Sequence, residues 1–361
     1  MQTAFVDVHT KPKRPNRLAT PEVTVAIVSY NGMKVLPSCI QSVFAQTYQN
    51  FRVLLVNNAS TDGTPEWVAE HYPQVEIIHN SENKGPNPAR NLGILKSEND
   101  LVLLMDDDAV LSESCLEELV NASRMYPEAA IWDPRIVYHD KRDTIQLDGT
   151  YIHYISEAIL LDAEKPLSEG VKDITPIQAA AGICLLINKA AAESIGLFDE
   201  DYFFGRTDGE FTFRLTLSGY KLYAVPQAIC YHRVKKRGLS KVFYQVRNRW
   251  YFTLTLYSYR TLILSAPALF VYEICLVFFM LLKGRIKEYL TAVFEVIVQL
   301  PALLQKRRSI QSLRKVPDRE ILHSGLINIR GDLVENPVIA SLKSLLNRFL
   351  NSYWKLIYPM V

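Results

Sequence analysis

Cysteine is scarce in this chain: five residues in 361, at 39, 115, 184, 230 and 275, with no Cys-x-x-Cys pair and an odd total. That pattern excludes a disulfide framework and a Cys-ligated zinc site, and reads as ordinary buried thiols in a reducing compartment. An excess of either charge is lacking too. The net charge of +2 offers no basic field for nucleic acid. The first twenty residues hold Lys11, Lys13, Arg14 and Arg17 but no apolar run, so residues 1–22 read as a flexible basic arm, and the chain is expected to stay in the cytosol. Neither a Gly-x-Gly-x-x-Gly turn nor a Gly-Lys-Ser/Thr phosphate loop follows the first apolar strand, which disfavours a nicotinamide-binding domain and a P-loop ATPase.

What is present is a globular composition, 48% hydrophobic and 22% charged. Apolar strands at 23–28, 51–56, 75–79 and 101–105 alternate with helical patterns over 35–44, 64–71 and 88–96. That alternation predicts an α/β fold with a Rossmann-like, mostly parallel sheet flanked by helices. Each strand ends in a polar loop: Tyr30-Asn31, Asn57-Asn58, Asn83-Lys84-Gly85 and Asp106-Asp107-Asp108. Parallel strands gather such loops along one edge, the expected binding crevice.

The acidic loop is the sharpest feature. Each of three adjacent carboxylates costs several kcal/mol to bury unpaired, so the cluster needs water or a cation, with Mg²⁺ or Mn²⁺ the natural occupant. A plain solvated loop is the competing reading. Further on, a helix is expected over 113–125 and a strand over 129–132, then a turn-rich strand region to Ile159. Trp132 and Tyr151 could stack on a sugar ring or simply pack in the core. The small-residue stretch Gln178 to Gly182 lets backbone approach a ligand. Asp208 lies at a helix start, suited to a cap or to a general base at the crevice mouth.

Ser29-Tyr30-Asn31, Asn57 to Thr64, Ala89-Arg90-Asn91-Leu92-Gly93 and Asp106-Asp107-Asp108 resemble, in that order, the motifs of family 2 glycosyltransferases, rhamnosyl- and galactofuranosyltransferases among them. The resemblance implies a GT-A fold, inverting transfer from a UDP, dTDP or GDP sugar, and Mn²⁺ or Mg²⁺ at a D-x-D site. Donor contacts are implied for Ser29, Tyr30, Asn31, Asn57, Asn58, Ser60, Lys84, Arg90, Asp106 and Asp107. Asn57 replaces the Asp that usually meets the base, which leaves the base open. Counting back six and four residues from Arg214 lays Asp208 on the family's catalytic base and Glu210 on its second acid, with Thr207 in place of the usual preceding Glu. Asp106, Asp108 and His232 are the implied metal ligands. Trp132, Gly182 and Arg206 are expected on the acceptor side, and Arg233, Lys235, Lys236 and Arg247 around the diphosphate.

Gln245 and Arg249 stand one residue too far apart for the Gln-x-x-Arg-Trp signature of processive synthases, so single-sugar transfer fits better. A sugar nucleotidyltransferase would want a Gly-rich basic loop after the first strand; a degenerate nucleotide-sugar-binding scaffold would not need acids at 106, 108, 208 and 210. The transferase domain is expected over 23–250, with a nucleotide-sugar half (23–108) and an acceptor half (109–250). Apolar helices at 262–282 and 289–304, inside a 251–310 segment, carry Pro267 and Glu273 and are flanked by basic residues on every side, including Arg247, Arg249, Lys306 and Arg307. They are expected to lie in the inner leaflet on anionic headgroups, at the cytoplasmic membrane face, rather than to span it twice. An amphipathic tail follows over 311–361, and these helices could also pair copies of the chain. The implied acceptor is a lipid-linked or oligosaccharide glycan.

Overall fold

The computed structural model describes residues 20–234, 239–327 and 337–361. The strands are Val23–Ser29 (β1), Phe51–Asn57 (β2), Glu76–His79 (β3) and Leu101–Asp106 (β4), joined by helices Leu36–Phe44 (α1), Thr64–His71 (α2) and Pro86–Lys96 (α3). They lie parallel in the order β4-β1-β2-β3, so the four polar loops do share one edge.

The chain continues through Ala109–Leu111 (β5), Cys115–Met125 (α4), Ala129–Tyr138 (β6), Lys141–Leu147 (β7), Thr150–His153 (β8), Ala158–Leu160 (β9), Thr175–Ile177 (β10), Cys184–Asn188 (β11), Lys189–Ser194 (α5), Thr207–Leu217 (α6) and Lys221–His232 (β12). The sheet extends from β4 as β11-β6-β12-β10. Because β11 runs antiparallel to both β4 and β6, and β6 runs parallel to β12, the end of β12 arrives at the same edge as the end of β4. The start of β11, just after Gly182, arrives there too. The strand expected over 129–132 runs on to Tyr138 through Pro134, whose missing N–H falls where the β12 pairing shifts register between Val225 and Ile229.

One sheet face is closed by α1 and α4 through Cys39, Ile40, Val43, Leu116 and Leu119; the other by α3, α5 and α6 through Ala89, Ile94, Ala192, Phe211 and Leu215. Each fully buried Leu or Phe contributes about 2 kcal/mol. The opposite side of α6, Phe213 and Leu217, enters a third core with residues of the C-terminal helices. Those helices are Val242–Leu256 (α7), Tyr259–Leu282 (α8), Ile286–Val298 (α9), Leu300–Ser312 (α10), Asp318–Ile321 (α11) and Pro337–Ile357 (α12), with Leu322–His323 (β13) joining β8 and β9 in a small second sheet.

Three expectations change here. A boundary at residue 250 falls inside α7. The segment 289–304 is not one helix, since Pro301 opens a new one, α10. And several flanking basic residues face inward: Arg249 and Arg307 are buried, and Lys306 binds Asp199 at 2.7 Å. Arg260, Lys283, Lys287 and Arg308 remain exposed.

Candidate active site

A crevice of about 1070 Å³ opens at the shared strand edge, lined by Tyr30, Asn58, Arg90, Asp106, Asp107, Asp108, Gly182, Arg206, Asp208 and His232. The loops that form it are tied to one another. The Asn31 N–H donates to Ser60 Oγ at 2.9 Å, and the Thr61 N–H to Asn31 Oδ1 at 2.8 Å. Asn58 donates to Asn83 Oδ1 and to the Gly85 carbonyl, each at 3.0 Å, and so holds the third loop against the second. Tyr30 stays half exposed at the rim.

The three acids separate in role. Asp107 turns back to accept from Ser29 Oγ at 2.6 Å, over a Gly32 whose Cβ would stand 2.4 Å from the carboxylate. Asp106 accepts from Arg90 Nη2 at 2.9 Å, while the same guanidinium donates to the Gly182 carbonyl at 3.1 Å. Burial pushes the Asp106 carboxyl above the ordinary range and Arg90 opposes that shift. Asp108 is set beside His232 because β5 pairs antiparallel with β12, Ala109 opposite His232. His232 Nε2 lies 3.6 Å from Asp108 Oδ1, and Nδ1 lies 2.9 Å from Gln146 Oε1. That carbonyl oxygen can only accept, so Nδ1 donates to it and Nε2 is the ring nitrogen that faces the acid. An outer-shell oxygen orienting a ring in this way suits a metal ligand. Among the described residues, no group of three or more Cys, His, Asp or Glu is gathered for a metal; of the three residues expected as ligands, Asp108 and His232 lie side by side and Asp106 is paired with Arg90.

Asp208 is the second residue of α6. Its Oδ2 accepts the Gly182 N–H at 2.8 Å and its Oδ1 accepts from Thr207 Oγ1 at 3.0 Å. Glycine is required at 182, since a Cβ there would meet Asp208 Cβ at 2.9 Å and Arg90 Nη2 at 3.0 Å. Arg206, in the left-handed region at φ 58°, precedes the helix and donates to Glu157 Oε2 at 2.9 Å.

Other expected site residues lie elsewhere. Glu210 is buried against Arg214, with Nε–Oε1 at 2.8 Å and Nη2–Oε2 at 2.9 Å, and does not reach the crevice. Trp132 is in the core, and Tyr151 stacks on His323. Asn57 is turned to His79 and to the Ser60 N–H, so its carbonyl is already engaged. Lys84 pairs with Glu82 at the surface. Arg247 donates to the Asp201 carbonyl and is not among the residues that line the crevice, and Arg233 reaches Ser38. Lys235 and Lys236 lie outside the described residues, as does nearly all of the N-terminal arm.

Sequence reasoning missed Glu157, Arg249 and Tyr272, which line the crevice floor. Tyr272 donates to Glu157 Oε1 at 2.9 Å, and the buried Arg249 packs on Tyr272 and pairs with Glu273. The one available signal was Glu273, a charge inside an apolar run.

Residues 24–192 match the model of glycosyl transferase family 2. They form a family 2 glycosyltransferase domain. The N-acetylglucosaminyl-diphospho-decaprenol L-rhamnosyltransferase of Mycobacterium tuberculosis is 26% identical over 247 residues, 61% of this chain and 78% of that protein. The glycosyltransferase GlyG of Streptococcus pneumoniae is 26% identical over 137 residues, 37% of this chain and 44% of that protein, so the chain spans less than half of this relative's length. The crystal structure of GalNAc-T7 with UDP, GalNAc and Mn²⁺ superposes at a TM-score of 0.58 with 17% identity, over 69% of this chain and 51% of that one. The glycosyltransferase domain has the GT-A fold.

Proposed function

We propose that the protein is a divalent-cation-dependent, inverting glycosyltransferase. It moves one sugar from a nucleoside-diphosphate donor to a hydroxyl of a lipid-linked glycan at the cytoplasmic membrane face. The observation that carries this reading is Asp208, a crevice carboxylate anchored through one oxygen by the Gly182 N–H, with the Asp108–His232 pair in the same crevice.

Asp208 takes the proton of the incoming hydroxyl as that oxygen bonds to the anomeric carbon. The bond from that carbon to the diphosphate oxygen breaks, and its electron pair leaves with the nucleoside diphosphate. Attack opposite the leaving group inverts the centre. Asp108 and His232 would hold the cation, which supplies positive charge to the departing diphosphate when bound. Arg90 and Asp106 orient the donor sugar, and Tyr30 and Asn58 the nucleoside.

The name of the mycobacterial relative supports a lipid-diphosphate acceptor, and the complex of GalNAc-T7 with UDP and Mn²⁺ supports the donor class and the cation. Exposed Ile263, Phe270, Phe278, Phe294 and Ile297 support attachment to a lipid surface. The decisive test incubates the full chain with UDP, dTDP and GDP sugars, a membrane lipid extract, and Mn²⁺, Mg²⁺ or EDTA. One donor should be consumed, with its sugar appearing on lipid, only when cation is present. Donor binding without turnover under every condition would instead indicate a scaffold.

A further inference from the structure

Two residues that carry side chains adopt the left-handed backbone and meet beside the start of α6: Ser156 at φ 64° and Arg206 at φ 58°. Such a backbone costs any residue but glycine free energy, and it persists only where its surroundings hold it. The hold on Arg206 is explicit. Its guanidinium donates from Nη1 to the Ser156 carbonyl and from Nη2 to Glu157 Oε2 at 2.9 Å. The other oxygen of Glu157 accepts from the Tyr272 hydroxyl of α8 at 2.9 Å, and Arg249 Nε of α7 lies 3.9 Å from it. The turn that carries Glu157 is itself fixed. Ser156 Oγ meets Thr253 Oγ1 of α7 at 2.7 Å, and the Tyr257 hydroxyl donates to the His153 carbonyl at 3.0 Å. Asn248 of α7 donates to the carbonyls of Phe204 and Gly205, each at 2.8 Å, and so holds the backbone that leads into Arg206. Two residues beyond Arg206 stands Asp208.

We propose that Glu157 is a positioning residue for the base: by holding Arg206 in the left-handed conformation that opens α6, it sets where the Asp208 carboxylate stands in the crevice. This deepens the glycosyltransferase reading above and rests on it for the role of Asp208. A pair kept only for stability has no need of so strained a partner, and a buried ion pair often adds little over an apolar pair of the same size. What this pair fixes is direction. No side chain caps α6 at Arg206, so its first turn is steered by the backbone at 205 and 206, and Asp208 lies in that turn. Asp208 Oδ2 then meets the Gly182 N–H at 2.8 Å. Glu157 reaches Arg206 with one oxygen while α8 holds the other, so the C-terminal helices help to set the base through it.

The test uses the full chain and reads hydrogen exchange at two amides, Gly182, bonded to Asp208, and Glu210, bonded to the Arg206 carbonyl at 2.9 Å. Glu157→Ala should speed exchange at both by about 10-fold or more, as expected for removing one hydrogen bond to a charged group, with β1 and β4 unchanged. Glu157→Gln, whose amide oxygen still accepts from Arg206, should keep most of the protection. Arg206→Ala must hold the left-handed backbone unaided and should lose protection. Arg206→Gly adopts that backbone freely and should keep it, and adding Glu157→Ala to it should change nothing further. The two variants at 206 decide the matter if Glu157→Ala does not fold. In the donor-consumption assay Glu157→Ala should lower kcat by up to about 10²-fold with the donor KM unchanged, and Glu157→Gln should recover it. Exchange equal to the parent in Glu157→Ala, an Arg206→Gly chain as open as Arg206→Ala, or a kcat untouched by Glu157→Ala overturns the proposal. Exchange is read with no donor present, so a chain that transfers no sugar refutes the transferase reading while the hold of Glu157 on α6 is judged separately.

Discussion

Gly182 and Asp208 are in direct contact: the glycine N–H donates to Oδ2 at 2.8 Å, and a side chain at 182 would collide with the Cβ of the acid at 2.9 Å. Gly182→Ala must therefore displace either Asp208 or Arg90. A misplacement near 1 Å costs about 10²-fold in rate. Steady-state kinetics should show kcat lowered by about that factor; an unchanged kcat would separate this contact from the chemistry.

Under the proposed mechanism, Asp208→Asn keeps the shape of the side chain and removes the base. Loss of general-base catalysis lowers kcat by about 10²- to 10⁴-fold. Donor affinity and thermal midpoint should stay near the parent values. Undiminished transfer by this variant would refute the assignment.

Glu210 behaves differently, because its partner Arg214 is itself buried. Glu210→Ala strands that guanidinium, and breaking a buried pair by removing one member costs about 3–5 kcal/mol. Urea denaturation should show a loss of that size. A variant as stable as the parent but catalytically dead would return Glu210 to the active site.

Gln146 orients His232. Gln146→Leu should weaken Mn²⁺ binding by about 10- to 100-fold, as removal of an outer-shell partner does. Titration calorimetry with Mn²⁺ and the donor nucleotide reads this directly, and undisturbed affinity would argue against His232 as a ligand.

His153 introduces a pH dependence of stability. Burial, opposed by nearby Glu157 and reinforced by His323, lowers its pKa to about 4. The unfolded chain binds a proton near pH 6.5 that the native state refuses until about pH 4, so stability is fully present above 6.5 and falls as pH drops through that window. The loss approaches about 3 kcal/mol at the acid end. His153→Gln should flatten the denaturation midpoint between these limits; a slope identical to the parent would point to other groups.

The donor half of the fold was legible because its signals are local. Strand, polar loop and helix follow one another, and the parallel order then brings Tyr30, Asn58 and Asp106 together. Asp208 was legible for the same reason, as an acid at a helix start. The pairing of Asp108 with His232 depends on β5 folding back onto β12, and no local pattern announces that. Trp132 was left open between a sugar platform and the core, and Glu210 was expected beside Asp208, because motif position does not reveal which way a side chain points. On β6 and α6 that is decided by packing on both sides. Glu157 and Arg249 were invisible, since their meeting depends on how α7 and α8 dock against the loop before β9.

The helix α6, which carries Asp208, is wedged between the sheet and the C-terminal helices, with Phe211 and Leu215 on one side and Phe213 and Leu217 on the other. Tyr154, from the acceptor half, stacks on Trp354 and donates to the Leu350 carbonyl. A protein cut at residue 250 to obtain a water-soluble enzyme would bare half of α6 and sever α7 in mid-helix. The transferase domain and the C-terminal helices thus share one core, and exposed apolar surface has to be reduced by repainting the outer stripe of α8, Ile263, Phe270 and Phe278, rather than by amputation.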